Sequence, residues 1–333
     1  MKIAVVKSSV YQDLWVTDIS NNPRDLFKSS MMRCPPIGLA EKYGADFIIV
    51  EDTDDYPCGS NKNCFPPFKN FKELSISKGK PYIHEKVDSV AKNPDIIDWS
   101  KYNIVMCINT CIPARIIAKY PNILWCYWVG ENEEHLVMNK VSCYDLILNQ
   151  DVMRKGLPDY SIGFPYTYIG PKTIENIVNL GPIIKRGIFM EINNTSERPV
   201  RNIPSVFQSM SLETGHPIIR HSEDIIENAT NLSKAKYYVK LLGRKIRGNS
   251  CLESISADTL ILADYNLVTY NDLILPECRI TSYSDITLKI KYYDENPEVY
   301  KEAIERQRIL LNTEYFDGPY YKLIDKFIKK TNP

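Results

Sequence analysis

The segment from Lys236 to Asp264, KYYVKLLGRKIRGNSCLESISADTLILAD, constrains the fold of this chain more than any other stretch. Its apolar and aromatic run, Tyr237–Leu242, has the length of a buried strand, and a glycine-containing turn follows it. The helix predicted after this turn leads directly into a second apolar run at Thr259–Ala263. Strand, turn, helix and strand in such a short segment predict an α/β fold.

The turn in this segment is basic and is bracketed by two glycines, Gly243 and Gly248. It carries three cationic side chains, those of Arg244, Lys245 and Arg247. A helix that begins at a turn directs unpaired backbone N–H groups and the positive end of its dipole toward that turn. Arginines beside these groups favour a diphosphate over a neutral ligand. The segment therefore predicts a phosphate-binding turn, although its spacing matches neither a Walker A motif nor a GxGxxG fingerprint.

Polar residues at the start of the predicted helix extend this candidate site. Asn249 or Ser250 is expected to cap the helix, because both side chains can accept a hydrogen bond from a backbone N–H. Glu253 is predicted in the first helical turn, where its carboxylate could accept hydrogen bonds from ribose hydroxyls. A basic turn between a strand and a helix also occurs for structural reasons alone, so that alternative stays open.

Composition excludes several other classes of protein. The 41 basic residues balance the 41 acidic residues, so no global field attracts nucleic acid or an anionic membrane. The nine cysteines are scattered, partly within apparent strands, which is typical of reduced, buried thiols. No apolar stretch approaches the roughly 18 residues that a membrane span needs, and no signal peptide precedes the first strand-like run. We therefore expect a soluble, cytoplasmic protein.

Strand-length apolar runs alternate with helical patterns along the chain, which predicts two βα series. The predicted strands are Ile3–Val6, Asp46–Val50, Asn103–Ile108, Ile123–Val129 and Leu146–Leu148, then Gly187–Ile192, Pro217–Arg220, Tyr237–Leu242 and Thr259–Ala263. The predicted helices are Ser30–Tyr43, Pro113–Tyr120, Ile203–Ser211, Ser222–Ala229, Ser250–Ala257, Pro297–Asn312 and Tyr320–Lys330. Gly and Pro concentrate from Ser161 to Lys185, where we place the connection between two domains.

In the order of its elements, the region from Lys185 to Lys330 resembles the donor-binding half of a GT-B-type glycosyltransferase. The segment KAKYYVKLLGRKIRGNSCLESISADTLILADYNLVTYNDLILPE is similar to the pattern of the fucosyltransferase, exostosin-like and CAP10-like groups. The resemblance implies an α/β fold with two Rossmann-like lobes facing a cleft, the GT-B architecture. It implies an N-terminal acceptor-side lobe at 1–170, a C-terminal nucleotide-sugar-binding lobe at 171–312, and a C-terminal helix at 313–333 that packs back on the first lobe.

The resemblance also implies a donor site and an activity. Near the donor diphosphate it places residues of the turn and of the loop after the first strand of the lobe, namely Arg198, Arg201, Arg244, Arg247, Gly248, Asn249 and Ser250. Glu253 would hold the ribose, and His221 would border the nucleobase. The implied reaction moves a sugar from a UDP- or GDP-linked donor to a hydroxyl of a glycan or another acceptor. No cofactor and no essential metal are implied.

The stereochemical outcome and the general base are predicted from fewer residues. Retaining relatives often carry two glutamates eight positions apart, but Lys245 stands eight positions before Glu253, which leaves inversion slightly ahead. Inversion requires a base that removes the acceptor proton. The candidates at predicted strand ends of the first lobe are Glu131, Asp13 and His135. Glu131 ranks first because it closely follows the predicted strand Ile123–Val129, whose aromatic residues could stack on a sugar.

Three alternatives remain open. Asp52-Thr53-Asp54 is a literal DxD sequence, which in GT-A-type glycosyltransferases holds a divalent cation against the donor diphosphate. The stretch before it is short for the nucleotide-binding portion expected there, and the phosphate-binding turn lies far away in the second lobe. A nucleotide-sugar 2-epimerase would share the two-lobe architecture and the donor site. A non-catalytic, two-lobed nucleotide-sugar-binding protein would bind the donor without turnover.

Overall fold

Most of the apolar runs in the sequence form the strands of two parallel sheets. The computed structural model describes residues 1–8, 43–50, 93–108, 111–128, 142–149, 159–164, 171, 174, 184–191, 205–221, 225–243, 245–246 and 249–332. The chain divides into two compact units, one made of Met1–Tyr168 with Tyr315–Pro333 and the other of Ile169–Glu314. Each unit holds one sheet whose described strands pair in parallel, which confirms the predicted α/β class.

The sheet of the first unit has the order β2-β1-β3-β4-β5-β6. Its strands are β1 (Ile3–Ser8), β2 (Asp46–Val50), β3 (Ile104–Ile108), β4 (Leu124–Trp128), β5 (Leu146–Asn149) and β6 (Ser161–Gly163). Strands β3 and β4 are buried along their whole length, as expected for central strands of a parallel sheet covered on both faces. The strand order reverses between β1 and β3, the kind of position where α/β sheets bind ligands.

The sheet of the second unit has the order β10-β9-β7-β8. Its strands are β7 (Ile188–Met190), β8 (Ile218–Arg220), β9 (Tyr237–Lys240) and β10 (Leu260–Ala263). The strand order reverses between β7 and β9, which pair from Ile188 with Tyr237 to Met190 with Val239. The segment that opened the sequence analysis therefore supplies the two strands on one side of this reversal.

The helices follow the strands in the order expected of α/β proteins. They are α1 (Ala114–Ile117), α2 (Ser205–Thr214), α3 (Ile225–Lys234), α4 (Asn249–Ser256), α5 (Tyr283–Glu295), α6 (Pro297–Leu310) and α7 (Gly318–Thr331). A π-helical segment, Leu311–Asp317, joins α6 to α7. Among the described residues no helix is both long enough and apolar enough to cross a bilayer.

The core of the first unit is built on both faces of its sheet. Because side chains alternate along a strand, Val5 and Met106 lie in one apolar cluster while Val6 and Val105 lie in the other. The last helix, α7, contributes the fully buried Leu323 to the first of these clusters. Lys330 fastens the end of α7 by donating to the carbonyl of Ile123 at 2.7 Å. A helix that follows the second unit in sequence thus completes the core of the first.

A hydrogen-bonded network of charged side chains holds the amino end of the second sheet. The Asp294 carboxylate accepts from Lys236 Nζ at 2.5 Å and from the Tyr237 hydroxyl at 2.7 Å, and His216 Nε2 lies 2.8 Å from its other oxygen. Burial alone would raise the pKa of Asp294, but these hydrogen bonds outweigh it and hold the pKa below the usual value. The network ties α5 to β9.

Lys185 is a second buried charge at this end of the sheet. Its ammonium donates to the carbonyls of Ser233, at 3.1 Å, and of Ala257, at the carboxyl ends of α3 and α4. Thr259 Oγ1 lies 3.4 Å away. Burial is the largest influence on this group and lowers the pKa of Lys185 to about 8. The Lys185 ammonium therefore binds carbonyls at the carboxyl ends of two helices, where a positive charge offsets the negative end of each helix dipole.

Candidate functional site

The carboxyl edge of the second sheet is the candidate site, because ligands of open α/β sheets bind beyond the strand ends where the strand order reverses. Here that position lies between β7 and β9. Glu191 follows β7 directly and is 6% exposed, and Lys240 ends β9 and is fully buried. Phe189 is paired with Tyr238, so Glu191 and Lys240, two residues further along each strand, share one face of the sheet.

The turn after β9 is held at both of its ends. Gly243 has φ of 87°, a conformation that favours glycine. Lys240 Nζ donates to the carbonyl of Leu242 at 2.7 Å, which fixes the peptide just before this glycine. Further along, Ile246 forms an isolated parallel bridge with Val268, with backbone hydrogen bonds of 2.9 Å on both sides. The turn is therefore anchored to both β9 and the segment after β10.

Helix α4 begins one residue earlier than the capping prediction required. Asn249 and Ser250 are its first two residues, so neither occupies the capping position, and that prediction was wrong. Glu253 consequently lies in the second turn of α4 rather than in the first, which corrects the second prediction for this helix. Ser250 is buried, and its carbonyl accepts from the Ser254 hydroxyl at 2.5 Å.

Glu253 is half-buried between α4 and the neighbouring helix α3. The buried Asn228 on α3 places its Nδ2 3.5 Å from Glu253 Oε2, at the long limit of a hydrogen bond. A weak contact of this length leaves the carboxylate able to exchange partners at small cost. The position of Glu253 is therefore compatible with hydrogen bonds from ligand hydroxyls to its carboxylate.

His221 follows β8 and packs on the same face of the sheet. Its ring meets that of Phe189 edge to face, with 6.2 Å between centroids, and Phe189 in turn stacks on Tyr238 at 5.8 Å. Of the predicted donor residues, His221 therefore lies at the carboxyl end of the edge strand β8, and Ser250 lies at the start of α4 in the same unit.

The other predicted site residues lie outside the described residues, and their assignments stay predictions. They are the acceptor-side candidates Asp13, Glu131 and His135, the donor candidates Arg198, Arg201, Arg244, Arg247 and Gly248, and the alternative metal ligands Asp52 and Asp54. In the part of the chain that the structure describes, no group of three or more His, Cys, Asp and Glu side chains is arranged to hold a metal ion.

Sequence reasoning missed a buried polar pair at this edge. The Tyr238 hydroxyl donates to Glu191 Oε2 at 2.5 Å, and Cys251 of α4 is a further fully buried residue of this unit. Burial raises the pKa of the Cys251 thiol and the pKa of Tyr238 well above their ordinary values, so both stay protonated at neutral pH. The sequence feature that could have revealed Glu191 is a glutamate directly after an apolar strand, in the stretch IFME.

A scan against protein-family models and a search of curated proteins found no match. Among solved structures, T4 phage BGT in complex with UDP and Mn²⁺ shares 11% identity over 100% of both chains, with a TM-score of 0.41. Sucrose-phosphate synthase from Thermosynechococcus elongatus shares 9% identity over 98% of both chains, with a TM-score of 0.42. TarM of S. aureus shares 12% identity over 67% of this chain and 55% of its own, with a TM-score of 0.39.

Proposed function

We propose that the protein is a GT-B-type glycosyltransferase that takes its sugar from a UDP- or GDP-linked donor. The observation that carries the proposal is the carboxyl edge of the second sheet. There, His221 follows β8 and packs against Phe189, Ser250 lies at the start of the helix after the turn that carries Gly243, and Glu253 follows one turn into the same helix. In the sequence, a strand, a basic turn and a helix follow one another in the same order as in the donor-binding lobes of this class.

The proposed donor roles follow from the chemistry of each group. The backbone N–H groups that begin α4, with Arg244 and Arg247, would neutralise the diphosphate, because both present donors to an anion. Glu253 would accept from the ribose hydroxyls, and His221 would border the nucleobase. Arg198 and Arg201, which follow β7 in the sequence, are proposed as further phosphate contacts.

We propose an inverting displacement. The acceptor hydroxyl oxygen forms a bond to the anomeric carbon while the bond from that carbon to the diphosphate oxygen breaks. The acceptor proton passes to a general base, for which Glu131 is the first candidate, and the nucleoside diphosphate leaves with the bonding electron pair. Arginines and helix N–H groups stabilise the negative charge that develops on the leaving group.

Glu131→Gln tests the proposed base. We expect kcat to fall by about 10²-fold to 10⁴-fold while donor affinity stays within a small factor, because a general base acts on the chemical step. Single-turnover rates and donor affinities should be measured for Glu131→Gln, Asp13→Asn and His135→Gln together. A normal rate in Glu131→Gln with a collapsed rate in Asp13→Asn would move the base to the loop after β1.

Calorimetric titration of the wild-type protein with UDP, GDP and CMP, and with uridine and guanosine as controls, tests the proposed function. We expect one diphosphate to bind more tightly than its nucleoside and to raise the melting temperature. Incubation with the matching nucleotide sugars should then show slow donor hydrolysis. Tight binding without turnover would favour a binding protein, and a donor recovered with inverted configuration at C2 would favour the epimerase. Failure to bind any of the three nucleotides would contradict the proposal.

The same assay decides whether a metal is essential. We propose that it is not, because arginines and helix N–H groups already offer positive charge to the diphosphate. Activity should survive EDTA and respond little to added Mn²⁺ or Mg²⁺. Loss of turnover on chelation, with recovery on adding Mn²⁺, would instead support the DxD alternative with Asp52 and Asp54.

A further inference from the structure

Arg279 is an exposed arginine at the carboxyl edge of the second sheet. Its backbone forms an isolated parallel bridge with Ala263, the last residue of β10, and the amide of Ile280 donates to the carbonyl of Ala263 at 3.1 Å. The two neighbours of Arg279, Cys278 and Ile280, are buried, so the backbone is fixed on both sides. The structure thus presents this side chain to solvent from a rigid position beside the end of β10.

The guanidinium of Arg279 lies over an aromatic ring. Its Cζ is 4.3 Å from the centroid of the Tyr265 ring, and Tyr265 is the second residue after β10. Among the described residues, no carboxylate lies within ion-pair distance of Arg279, whereas Arg115, Arg306 and Arg308 each bind one. A ring covers only one face of the guanidinium, so the N–H groups in its plane remain available to an anion.

Backbone hydrogen bonds place this pair of side chains next to the basic turn after β9. The amide of Ile246, in that turn, donates to the carbonyl of Leu267 at 2.9 Å, and the amide of Thr269 donates to the carbonyl of Ile246 at 2.9 Å. Tyr265 and Leu267 belong to one short 3₁₀ helix directly after β10. Strands β9 and β10 also pair in parallel, so their carboxyl ends meet at one edge of the sheet. Arg279 and the basic turn are therefore neighbours at that edge.

We propose that Arg279 binds the diphosphate of the donor and that Tyr265 is a positioning residue that holds its guanidinium. The planar guanidinium can donate to two oxygens of one phosphate. Because the ring and the rigid backbone restrict the side chain beforehand, less conformational freedom is lost on binding. A diphosphate is the favoured ligand because the adjacent turn carries three further cationic side chains. The inference rests on the proposed function, since it adds a residue to the diphosphate end of that site.

Arg186→Met is a matched control for Arg279→Met. Arg186 is also an exposed arginine of the second unit, so its removal changes the net charge equally. It precedes β7, at the opposite edge of the same sheet, where it donates to the carbonyl of Gly215 at 3.0 Å. Both side chains are exposed, so both variants should fold, and only their ligand affinities should differ.

The experiment measures the affinities of UDP and uridine, or of GDP and guanosine if the wild type prefers GDP. Arg279→Met should weaken diphosphate binding about tenfold and leave nucleoside binding within about twofold, as expected when a charged donor to an anion is removed. Arg186→Met should change neither affinity by more than about twofold. Equal losses in the two variants would reflect the change in net charge alone and would overturn the inference.

Variants of Tyr265 test its positioning role. Tyr265→Phe keeps the ring, so diphosphate affinity should stay within about twofold of the wild type, whereas Tyr265→Leu should weaken it about threefold. The Tyr265→Leu/Arg279→Met double variant should lose no more than Arg279→Met alone, because the ring acts through the guanidinium. Additive losses would mean that Tyr265 acts independently of Arg279 and would overturn its positioning role.

A donor with an acidic sugar distinguishes the diphosphate from another anion. UDP-glucose and UDP-glucuronate carry the same diphosphate, as do GDP-mannose and GDP-mannuronate for a protein that prefers GDP. Arg279→Met should therefore weaken the binding of both members of a pair by the same factor. A loss confined to the acidic sugar would assign Arg279 to a sugar carboxylate and overturn the inference.

The outcomes also distinguish this inference from the proposed function. A wild-type protein that binds neither UDP nor GDP would remove the proposed function and this inference with it. A wild type that binds a diphosphate, with unchanged affinity in Arg279→Met, would overturn the inference alone.

Discussion

A glutamate on a helix recognises a ribose only if the surrounding side chains leave its carboxylate a position facing the ligand. Glu253 lies in the second turn of α4, beside α3, with a long contact of 3.5 Å to Asn228. That contact is weak enough for a ribose hydroxyl to compete with it. At the scale of single residues, Glu253 therefore has one contact that a ligand hydroxyl could replace.

Glu253→Gln should reduce the preference for a ribose with both hydroxyls. The amide keeps the shape of the side chain but loses the charge that strengthens hydrogen bonds from hydroxyls. The affinity ratio of UDP to 2′,3′-dideoxy-UDP should therefore fall about tenfold. Glu302→Gln, at an exposed position of α6, is the control and should leave the ratio unchanged. An unaltered ratio in Glu253→Gln would remove Glu253 from the ribose site.

Residues of the candidate site differ in how far the sequence predicts them. Ser250 and Glu253 were identifiable as candidates from the sequence because they follow a strand and a basic turn within one continuous segment. Glu191 was not, because its use depends on Tyr238, which lies 47 residues further along the chain. The pairing exists only because β7 and β9 are neighbours in the sheet. Strand order is set by tertiary packing, which local patterns do not report.

At the scale of elements, the turn between β9 and α4 combines a strained residue with two anchors. Gly243 adopts positive φ, while Lys240 and Ile246 hold the peptides on either side. A turn fixed at both ends cannot relax when its central residue is changed. A substitution at Gly243 would therefore disturb the turn that precedes α4 in the sequence.

Gly243→Ala should therefore affect both stability and ligand binding. Alanine at positive φ costs about 1 kcal/mol of unfolding free energy. Gly215→Ala is the matched control, because Gly215 has φ of 70° and an added Cβ would meet no atom within 4 Å. Both variants should lose similar stability in urea unfolding. UDP or GDP affinity should fall in Gly243→Ala alone, and an equal affinity in the two variants would contradict the role of the turn.

Lys185 links the ends of α3 and α4 and should make stability depend on pH. Its pKa of about 8 in the folded protein lies below the ordinary 10.5, so between these values the unfolded chain binds more protons. The unfolding free energy contributed by Lys185 therefore rises with pH across this window, by at most about 1.4 kcal/mol per pH unit. Buried thiols with raised pKa act in the opposite direction, but equally in any variant that keeps them.

The measurement is the difference in unfolding free energy between the wild type and Lys185→Met. This difference should shift in favour of the wild type as pH rises from about 8 to about 9.5, before unfolded tyrosines titrate. Lys301→Met is the control, since Lys301 is 70% exposed, and its difference should stay constant. A constant difference for Lys185→Met would show that its ammonium is not destabilised by burial.

The elements that sequence patterns missed have physical explanations. The three residues of β6, SIG, lie in the Gly- and Pro-rich stretch that predicted a connection, and they form a strand through pairing with β5. Helix α5 was not predicted because ITLKIKY alternates apolar and polar residues as a strand does. Its buried residues, Ile286, Ile290 and Tyr293, nevertheless follow helical spacing, and Ser282 caps it by accepting from Asp285 N at 3.2 Å.

At the scale of the whole molecule, both units contain a parallel sheet, but they differ in how many segments of the chain form them. The second unit is one continuous segment. The first unit consists of two segments, and the second of these contains α7. Repeated strands and helices were enough to predict the α/β class from the sequence. The strand orders were not predictable, since they depend on which apolar faces pack together.

Leu323→Ala tests the contribution of α7 to the first unit. Leu323 is fully buried in the cluster with Val5 and Met106, so the cavity should cost about 2–5 kcal/mol and lower the melting temperature. Ile328→Ala on the same helix is the control, because Ile328 is 47% exposed and should change stability by less than about 1 kcal/mol. Below the transition, nucleotide affinity should be unchanged in both variants, and a loss in Leu323→Ala alone would contradict the assignment of the donor residues to the second unit.

The position of α7 also affects the order in which the protein can fold on the ribosome. Domains usually fold from the amino terminus as they emerge during translation. Here the six-stranded sheet emerges first but lacks Leu323 and the rest of α7 until those residues have been translated. The later, continuous unit has all its strands available before that moment. The half of the protein that is made second can therefore reach its native core first, and the half made first lacks the apolar contacts of α7 until translation of that helix is complete.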